Sequence, residues 1–335
     1  MFKRFITTFF ILLIASSSIA GQNRKQEADA LYSFRVNGKM GYFNRNGQIV
    51  IEPIYDSVWS FRDGVARVSG QGGFGYIDKS GKVIVEPKLE YALDFSEGLA
   101  AVKMDKVWGY IDTTGKMVIP IKPGKNGRLR LMAEIPSFSD GIAVITSAEG
   151  TSFIDRTGKV ITHLDDDVLT KFSEGLGLIE KKDRYGFIDK AGNVVIKPEF
   201  TFASDFSEGL AVVGVGEKFG WIDKTGKIVI EPKFDGASSF SEGLAVVKVG
   251  EKQGWIDKTG KIVIEPKFDN ADDFSDGLAV IQIGDHHGYV DKSGKIVIEP
   301  KFINATDFED GLAWVEEEGK DGFIDKTGKY VRVFN

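Results

Sequence analysis

An all-β repeat architecture is the fold this sequence predicts, and three observations predict it. A Gly-aromatic-Ile-Asp motif, or a near variant, returns nine times, starting at Gly41, Gly75, Gly109, Ser152, Gly186, Gly220, Gly254, Gly288 and Gly322. Seven of the eight intervals are 34 residues and the other, Gly109 to Ser152, is 43. A fixed period of this size marks a chain of stacked supersecondary units. Short β-branched runs flank each motif, as strands require. The 40 glycines fall at fixed repeat positions, where they serve turns.

Residues 243 to 276 show one unit. Leu244 to Val249 reads as a first strand and Gly250-Glu251-Lys252-Gln253 as a tight turn. Gly254 to Asp257 is a second strand, and Lys258-Thr259-Gly260 a hairpin loop into which Asp257 bonds forward. Lys261 to Ile264 is the third strand, ended by Pro266, which cannot donate to a ladder. The connection Lys267 to Asp276 carries Phe268, Ala271 and Phe274 at a spacing compatible with one helical turn. Each unit is thus expected to be a three-stranded antiparallel meander. One meander cannot bury its apolar face alone, so neighbours must stack.

Whole units fill the chain. Tyr32 to Val36 begins the first meander and Tyr330 to Phe334 ends the ninth, so no unit is divided between the termini. The expectation is therefore a curved, open array of nine meanders. A closed propeller-like ring is the alternative, disfavoured by the short repeat and by the undivided units.

The first twenty residues stand apart. Lys3 and Arg4 precede an apolar run from Phe5 to Ile14, and Ser18-Ile19-Ala20 makes a small-residue cleavage site. This is the layout of a secretory signal peptide cleaved after Ala20, leaving 21–335 as one repeat domain, exported and not membrane-spanning. Export to the periplasm, the cell surface or the medium fits equally. The chain has no cysteine, which excludes disulfides and a cysteine-linked lipid anchor. Net charge is −6, and −8 once Lys3 and Arg4 are removed. An acidic balance without a basic block argues against nucleic acid and anionic membranes as partners.

The middle breaks the pattern. The segment 120–136 holds the nine extra residues and carries Lys122, Lys125, Arg128 and Arg130. The next unit has Ser152 for glycine and Thr162-His163 for Glu-Pro, followed by Asp165-Asp166-Asp167. The insertion is either a tolerated surface loop or the binding loop of a uniform scaffold.

The units as a whole resemble the WG-repeat family of bacterial tandem β-repeats. The resemblance rests on aromatic-Gly-aromatic-Ile-Asp, Thr-Gly-Lys, Ile-Glu-Pro, and Phe-Ser-Glu-Gly-Leu at 95–99, 172–176, 206–210 and 240–244. It covers residues 30 to 334, although the Trp-Gly pair itself survives only as Trp108-Gly109. It implies a binding or scaffold role and carries over no catalytic residue.

Chemistry is thinly signalled. The string Gly220 to Lys227 is one residue too long for a phosphate loop, and Ile228 stands where Ser or Thr must hold magnesium. His163, His286 and His287 have no cysteine or carboxylate cluster at metal spacing, so no metal or cofactor is expected. The repeated acids Asp78 to Asp325, with Glu97, Glu174, Glu208 and Glu242, are read as turn caps. The aromatics after the motif glycine, Trp221 and Trp255 among them, form either an outward ladder for sugar rings or an inter-repeat core. Strand alternation then puts either the aromatic or its neighbouring Ile on a less buried side.

The sequence therefore predicts a non-enzymatic exported scaffold that binds a protein at the bacterial cell envelope. The candidate ligand residues are Trp108, Lys122, Lys125, Arg128, Arg130, Trp221 and Trp255. The alternative is a carbohydrate or cell-wall binder using the aromatic ladder. A hydrolase with its site in the irregular middle is the third reading.

Overall fold

The computed structural model describes residues 30–121, 136–147, 150–164 and 171–334. Residues 1–20, expected from the sequence to be a signal peptide, the basic residues Lys122, Lys125, Arg128 and Arg130, and Asp165 to Asp167 lie outside the described residues.

Nine antiparallel sheets follow one another along the chain. We number them as blades: 1 (Leu31–Tyr55), 2 (Ser57–Leu89), 3 (Tyr91–Ile121), 4 (Ile142–Leu164), 5 (Phe172–Phe200), 6 (Phe202–Phe234), 7 (Gly236–Phe268), 8 (Asn270–Phe302) and 9 (Asn304–Phe334). In blade 7 the three expected strands are present as Leu244–Val249, Lys252–Asp257 and Ile262–Phe268. A fourth, Gly236–Ala237, pairs with the first of them. The stretch after Phe268, whose spacing suits one helical turn, instead supplies the corresponding short strand Asn270–Ala271 of blade 8. Seven blades are thus four-stranded. Blades 1 and 4 show three strands among the described residues, each preceded by undescribed chain.

The array closes, which overturns the open three-stranded expectation. Blade 9 packs on blade 1 through a cluster of Tyr32, Phe34 and Phe43 with Leu312, Phe323 and Phe334. Tyr32 donates its hydroxyl to the Asp310 carbonyl (2.7 Å), and Arg332 donates to the Gly47 carbonyl (2.6 Å). Among the described residues no blade is divided: side-chain packing and these side-chain hydrogen bonds fasten the seam. The molecule is a nine-bladed β-propeller.

Stacking of neighbouring blades explains the aromatic position. Trp255 packs toward the next blade, against Phe274, Ile281 and Val290, while its neighbour Ile256 packs with Trp221 and Phe240 toward the preceding one. Both faces of a middle strand are covered by blades, so the less buried side expected from strand alternation does not exist there. Trp221 and Trp255 are 0% exposed.

The motif glycine has a separate cause. A Cβ on Gly254 would lie 2.4 Å from the Ile264 carbonyl oxygen and 2.7 Å from the Pro266 nitrogen. The Glu-Pro bulge of the last strand sits directly on that glycine, and the register skips there, from Trp255↔Ile264 to Gln253↔Phe268. Blade 4 has lost both partners together. There Ser152 pairs straight with His163, with Ser152 Oγ and His163 Nδ1 3.0 Å apart. In this blade a Cβ is accommodated, whereas Gly109 and Gly322, which also pair straight, would place a Cβ 2.4 and 2.1 Å from a carbonyl oxygen.

Candidate functional site

The antiparallel order gives the propeller two unlike faces. One carries the Phe-Ser-Glu-Gly turns and the Asp-Lys-Thr-Gly hairpins; we call it the tied face. The other carries the turns between the two long middle strands, together with the crossings to the next blade; we call it the turn face.

On the tied face the repeated polar residues bond blade to blade. Ser241 Oγ donates to the Phe274 carbonyl of the next blade (2.8 Å), and the same tie recurs from Ser96, Ser139, Ser173, Ser207 and Ser275. The Glu208 carboxylate accepts the Gly243 N–H (3.1 Å) and lies 3.1 Å from Lys258 Nζ, which also donates to the Glu208 carbonyl (2.9 Å). Glu174 and Glu242 repeat the arrangement with Lys224 and Lys292. To aim this way Glu208 holds φ at +54°, a left-handed conformation costly for a residue with a Cβ. These glutamates are therefore inter-blade ties rather than turn caps. The hairpin aspartates do cap their own turns: Asp257 Oδ1 accepts Thr259 N (2.9 Å), Thr259 Oγ1 (2.6 Å) and Lys261 N (3.2 Å).

Near-equivalent side chains of adjacent blades also touch directly. Ser238 Oγ donates to Asp273 Oδ1 (2.6 Å), and Ser239 Oγ to Ser204 Oγ (3.4 Å). Equivalent points on neighbouring blades diverge with distance from the axis, so such contacts mark the blades' inner ends. Asp272, Asp273 and Asp307 gather there. Burial, then the charges of Asp272 and Asp273, pushes Asp307 up to about 7. Burial pushes Asp273 up to about 6 against the Ser238 hydrogen bond, and raises Asp272 against the pull of His287. Asp94 is likewise raised by burial, opposed by the Arg67 guanidinium 2.9 Å away. Among the described residues no group of three His, Cys, Asp or Glu side chains is placed to hold a metal ion.

The predicted site residues do not converge. Trp221 and Trp255 are core, and their Nε1 atoms have no hydrogen-bond partner among the described residues. In the tyrosine blades the same position is satisfied: Tyr289, for example, donates to the Thr306 carbonyl (2.8 Å). A surface ladder for sugar is therefore not formed at these two tryptophans. Trp108 is half-buried in blade 3, its ring 5.0 Å from Tyr91 and 5.8 Å from Lys103 Nζ. It stands beside an open pocket of about 510 Å³ lined by Lys88, Glu90, Lys103, Asp105 and Lys106. His287 bonds through Nδ1 to the Ile303 carbonyl (3.0 Å), a local contact.

Sequence reasoning passed over the turn face. Val215, Val249 and Ile283, at equivalent turns of blades 6 to 8, are 49%, 48% and 45% exposed. Each ends a run such as Leu244 to Val249 that reads as wholly buried, so only its place beside the turn glycine could have signalled exposure.

These features define a class: a closed propeller of short, near-identical blades held together by a repeated polar tie. Residues 40–73, 74–108, 108–122, 185–219, 219–252, 254–285 and 288–320 match the WG containing repeat, and the chain belongs to that family. No curated protein matches the chain. Among solved structures it is similar to one described as the eukaryotic initiation factor (TM-score 0.64, 12% identity, 91% of this chain and 95% of that one). It is also similar to dihydro-heme d1 dehydrogenase NirN in complex with DHE (TM-score 0.50, 11% identity, 82% and 74%). At these identities the likeness is one of fold. Among the described residues no helix is long and apolar enough to cross a membrane.

Proposed function

We propose that the protein is an exported, non-enzymatic scaffold that binds a protein partner at the bacterial cell envelope. The observation that carries this reading is the division of labour between the two faces. The repeated serines, glutamates and lysines of the tied face bond blade to blade, and the repeated aromatics at Trp221 and Trp255 form core. Among the described residues, the broad surface outside those ties is the turn face, with its short loops on a ring of blades. The leader-like start at Lys3 to Ala20 supports the exported address.

Chemical cross-linking of the mature chain (21–335) in envelope extract tests the proposal. The expected result is a protein adduct whose cross-links map to turn-face lysines such as Lys39, Lys218 and Lys252. Retention on isolated cell-wall polysaccharide with no protein adduct would transfer the assignment to a carbohydrate binder.

A further inference from the structure

The turn of blade 7, Val249-Gly250-Glu251-Lys252, is copied in blade 6 as Val215-Gly216-Glu217-Lys218 and in blade 8 as Ile283-Gly284-Asp285-His286. The first residue of each pairs across the turn with the last, and all three Val/Ile side chains stand exposed. Folding does not demand an apolar residue there. The same position holds Gly70 in blade 2, Lys181 in blade 5 and Glu317 in blade 9, with the same strand pairing. Exposed β-branched apolar residues on three successive blades therefore serve something other than the hairpin.

Charge at these turns is one-sided. Lys218 and Lys252 are neutralised by Asp235 (2.5 Å) and Asp269 (2.6 Å), which lie at the crossings to the next blade. Those aspartates also accept the Gly250 and Gly284 amides, which fixes them in place. Glu217, Asp285 and, in blade 9, Glu318 are exposed and make no ion pair among the described residues. Glu251 has only a long contact of 3.9 Å with Lys248. On the tied face, by contrast, Glu174, Glu208 and Glu242 each hold a glycine amide and a lysine. Asp235 and Asp269 do the same on the turn face, whereas Glu217, Glu251, Asp285 and Glu318 hold no glycine amide among the described residues.

We propose that the turn face of blades 6 to 9 is a docking surface for a polypeptide presenting alternating apolar and basic side chains. This rests on the scaffold reading above and names its surface and its partner's chemistry. The apolar groups of the partner cover Val215, Val249 and Ile283, and its lysines or arginines meet Glu217, Glu251, Asp285 and Glu318. Buried apolar contacts supply the affinity, and the unpaired carboxylates supply attraction and sign.

The test uses the mature chain and three synthetic peptides of about sixteen residues, alternating Leu-Lys, Leu-Glu and Ser-Lys, titrated by fluorescence anisotropy. The Leu-Lys peptide is expected to bind tightest. Binding should weaken about tenfold in V215S/V249S/I283S and, separately, in E217Q/E251Q/D285N. Should the serine variant lose its fold, V215K alone serves in its place, since blade 5 already carries Lys181 at that position. Unchanged binding in the apolar variant would overturn the proposal, because net acidity alone would then explain capture of the peptide. Self-association of the wild type that these substitutions abolish would overturn it too, since the occupant would be a second copy of this chain. Envelope cross-links confined to the tied face, with no peptide binding, would sink this surface while leaving the scaffold reading intact.

Discussion

At the scale of single residues, two kinds of side chain decide how the blade holds. The motif glycine is the first. A Cβ at Gly254 falls 2.4 Å from a backbone carbonyl oxygen that cannot swing away. G254A should therefore cost at least the roughly 1–3 kcal/mol of an overpacked core, read as a lowered urea midpoint. Blade 4, with His163 and Leu164 at the register positions of Glu265 and Pro266, shows the compensation, so G254S combined with E265H and P266L should recover part of that loss. Equal stability of G254A and wild type would show that the bulge can shift. The inner carboxylates are the second kind. Asp307 at about 7 and Asp273 at about 6 keep their protons where the unfolded chain, at an ordinary 3.8, has lost them. The native state then binds more protons across that window, so their contribution falls as pH rises through about 6 to 7 and is fully regained below about 4. The hairpin aspartates act oppositely. The Thr259 hydroxyl, then backbone amides, hold Asp257 below its usual value, so its contribution is present above the ordinary carboxylate pKa and lost in stronger acid. The melting temperature should accordingly be higher near about pH 5 than near about pH 8, and D307N should remove most of that difference. A melting temperature that instead rises toward pH 8 would place the charge elsewhere.

At the scale of the element, the blade was largely legible and its fourth strand was not. The three long strands, their turns and the Asp257 hairpin follow from β-branched runs punctuated by glycine and proline, which are local signals. The short strand of two residues, Asn270–Ala271, has no such signature. It exists because Gln282 and Ile281 of its own blade offer a free strand edge, a partner that composition does not reveal. The aromatic position was ambiguous for a related reason: burial on both faces depends on neighbouring blades. The ties are a further case. Phe-Ser-Glu-Gly is visible as a motif, but its partners lie 33 to 50 residues on, in the next blade. Glu208 shows how these ties can be measured. E208A removes a carboxylate that holds a charged lysine and an amide, and it keeps a Cβ at φ +54°. E208G also loses the tie but relieves the backbone, a gain of about 0.4–1 kcal/mol. E208A should thus be the less stable variant by about that margin, with both below wild type by about 1–3 kcal/mol in denaturant melts. Should E208G exceed wild type, the carboxylate contributes less than its backbone conformation costs.

At the scale of the whole molecule, the candidate site was less legible than the fold, and for the same physical cause. Trp221 and Trp255 have the chemistry of a ligand platform, but the stacking of neighbouring blades buries them; Val215, Val249 and Ile283 end strands that read as core and yet stand exposed. Closure itself left no mark in the repeats, since it occurs once, between residues almost 300 positions apart. Seven junctions, from blade 2 with 3 to blade 8 with 9, use a carboxylate-to-glycine tie, from Gly98 on Asp63 to Gly311 on Asp276. The seam between blades 9 and 1 combines the Tyr32 and Arg332 hydrogen bonds with aromatic packing. Phe34 stacks on Phe334 at 6.1 Å, Phe43 meets Phe323 at 5.0 Å, and the Arg332 guanidinium covers Phe34 at 4.6 Å. Removing the final strand, Tyr330 to Phe334, deletes Arg332 and Phe334 together while leaving the tied junctions untouched. Each neighbour in a ring holds the next, so a ring opened at one seam retains its local pairs but loses its cooperative unit. The truncated chain should keep its β-sheet circular dichroism, give a larger radius in solution scattering, and unfold in a broader transition at least about 3 kcal/mol less stable. A compact, sharply melting truncation would show that the tied junctions alone set the curvature, with the seam only completing a ring already closed by geometry.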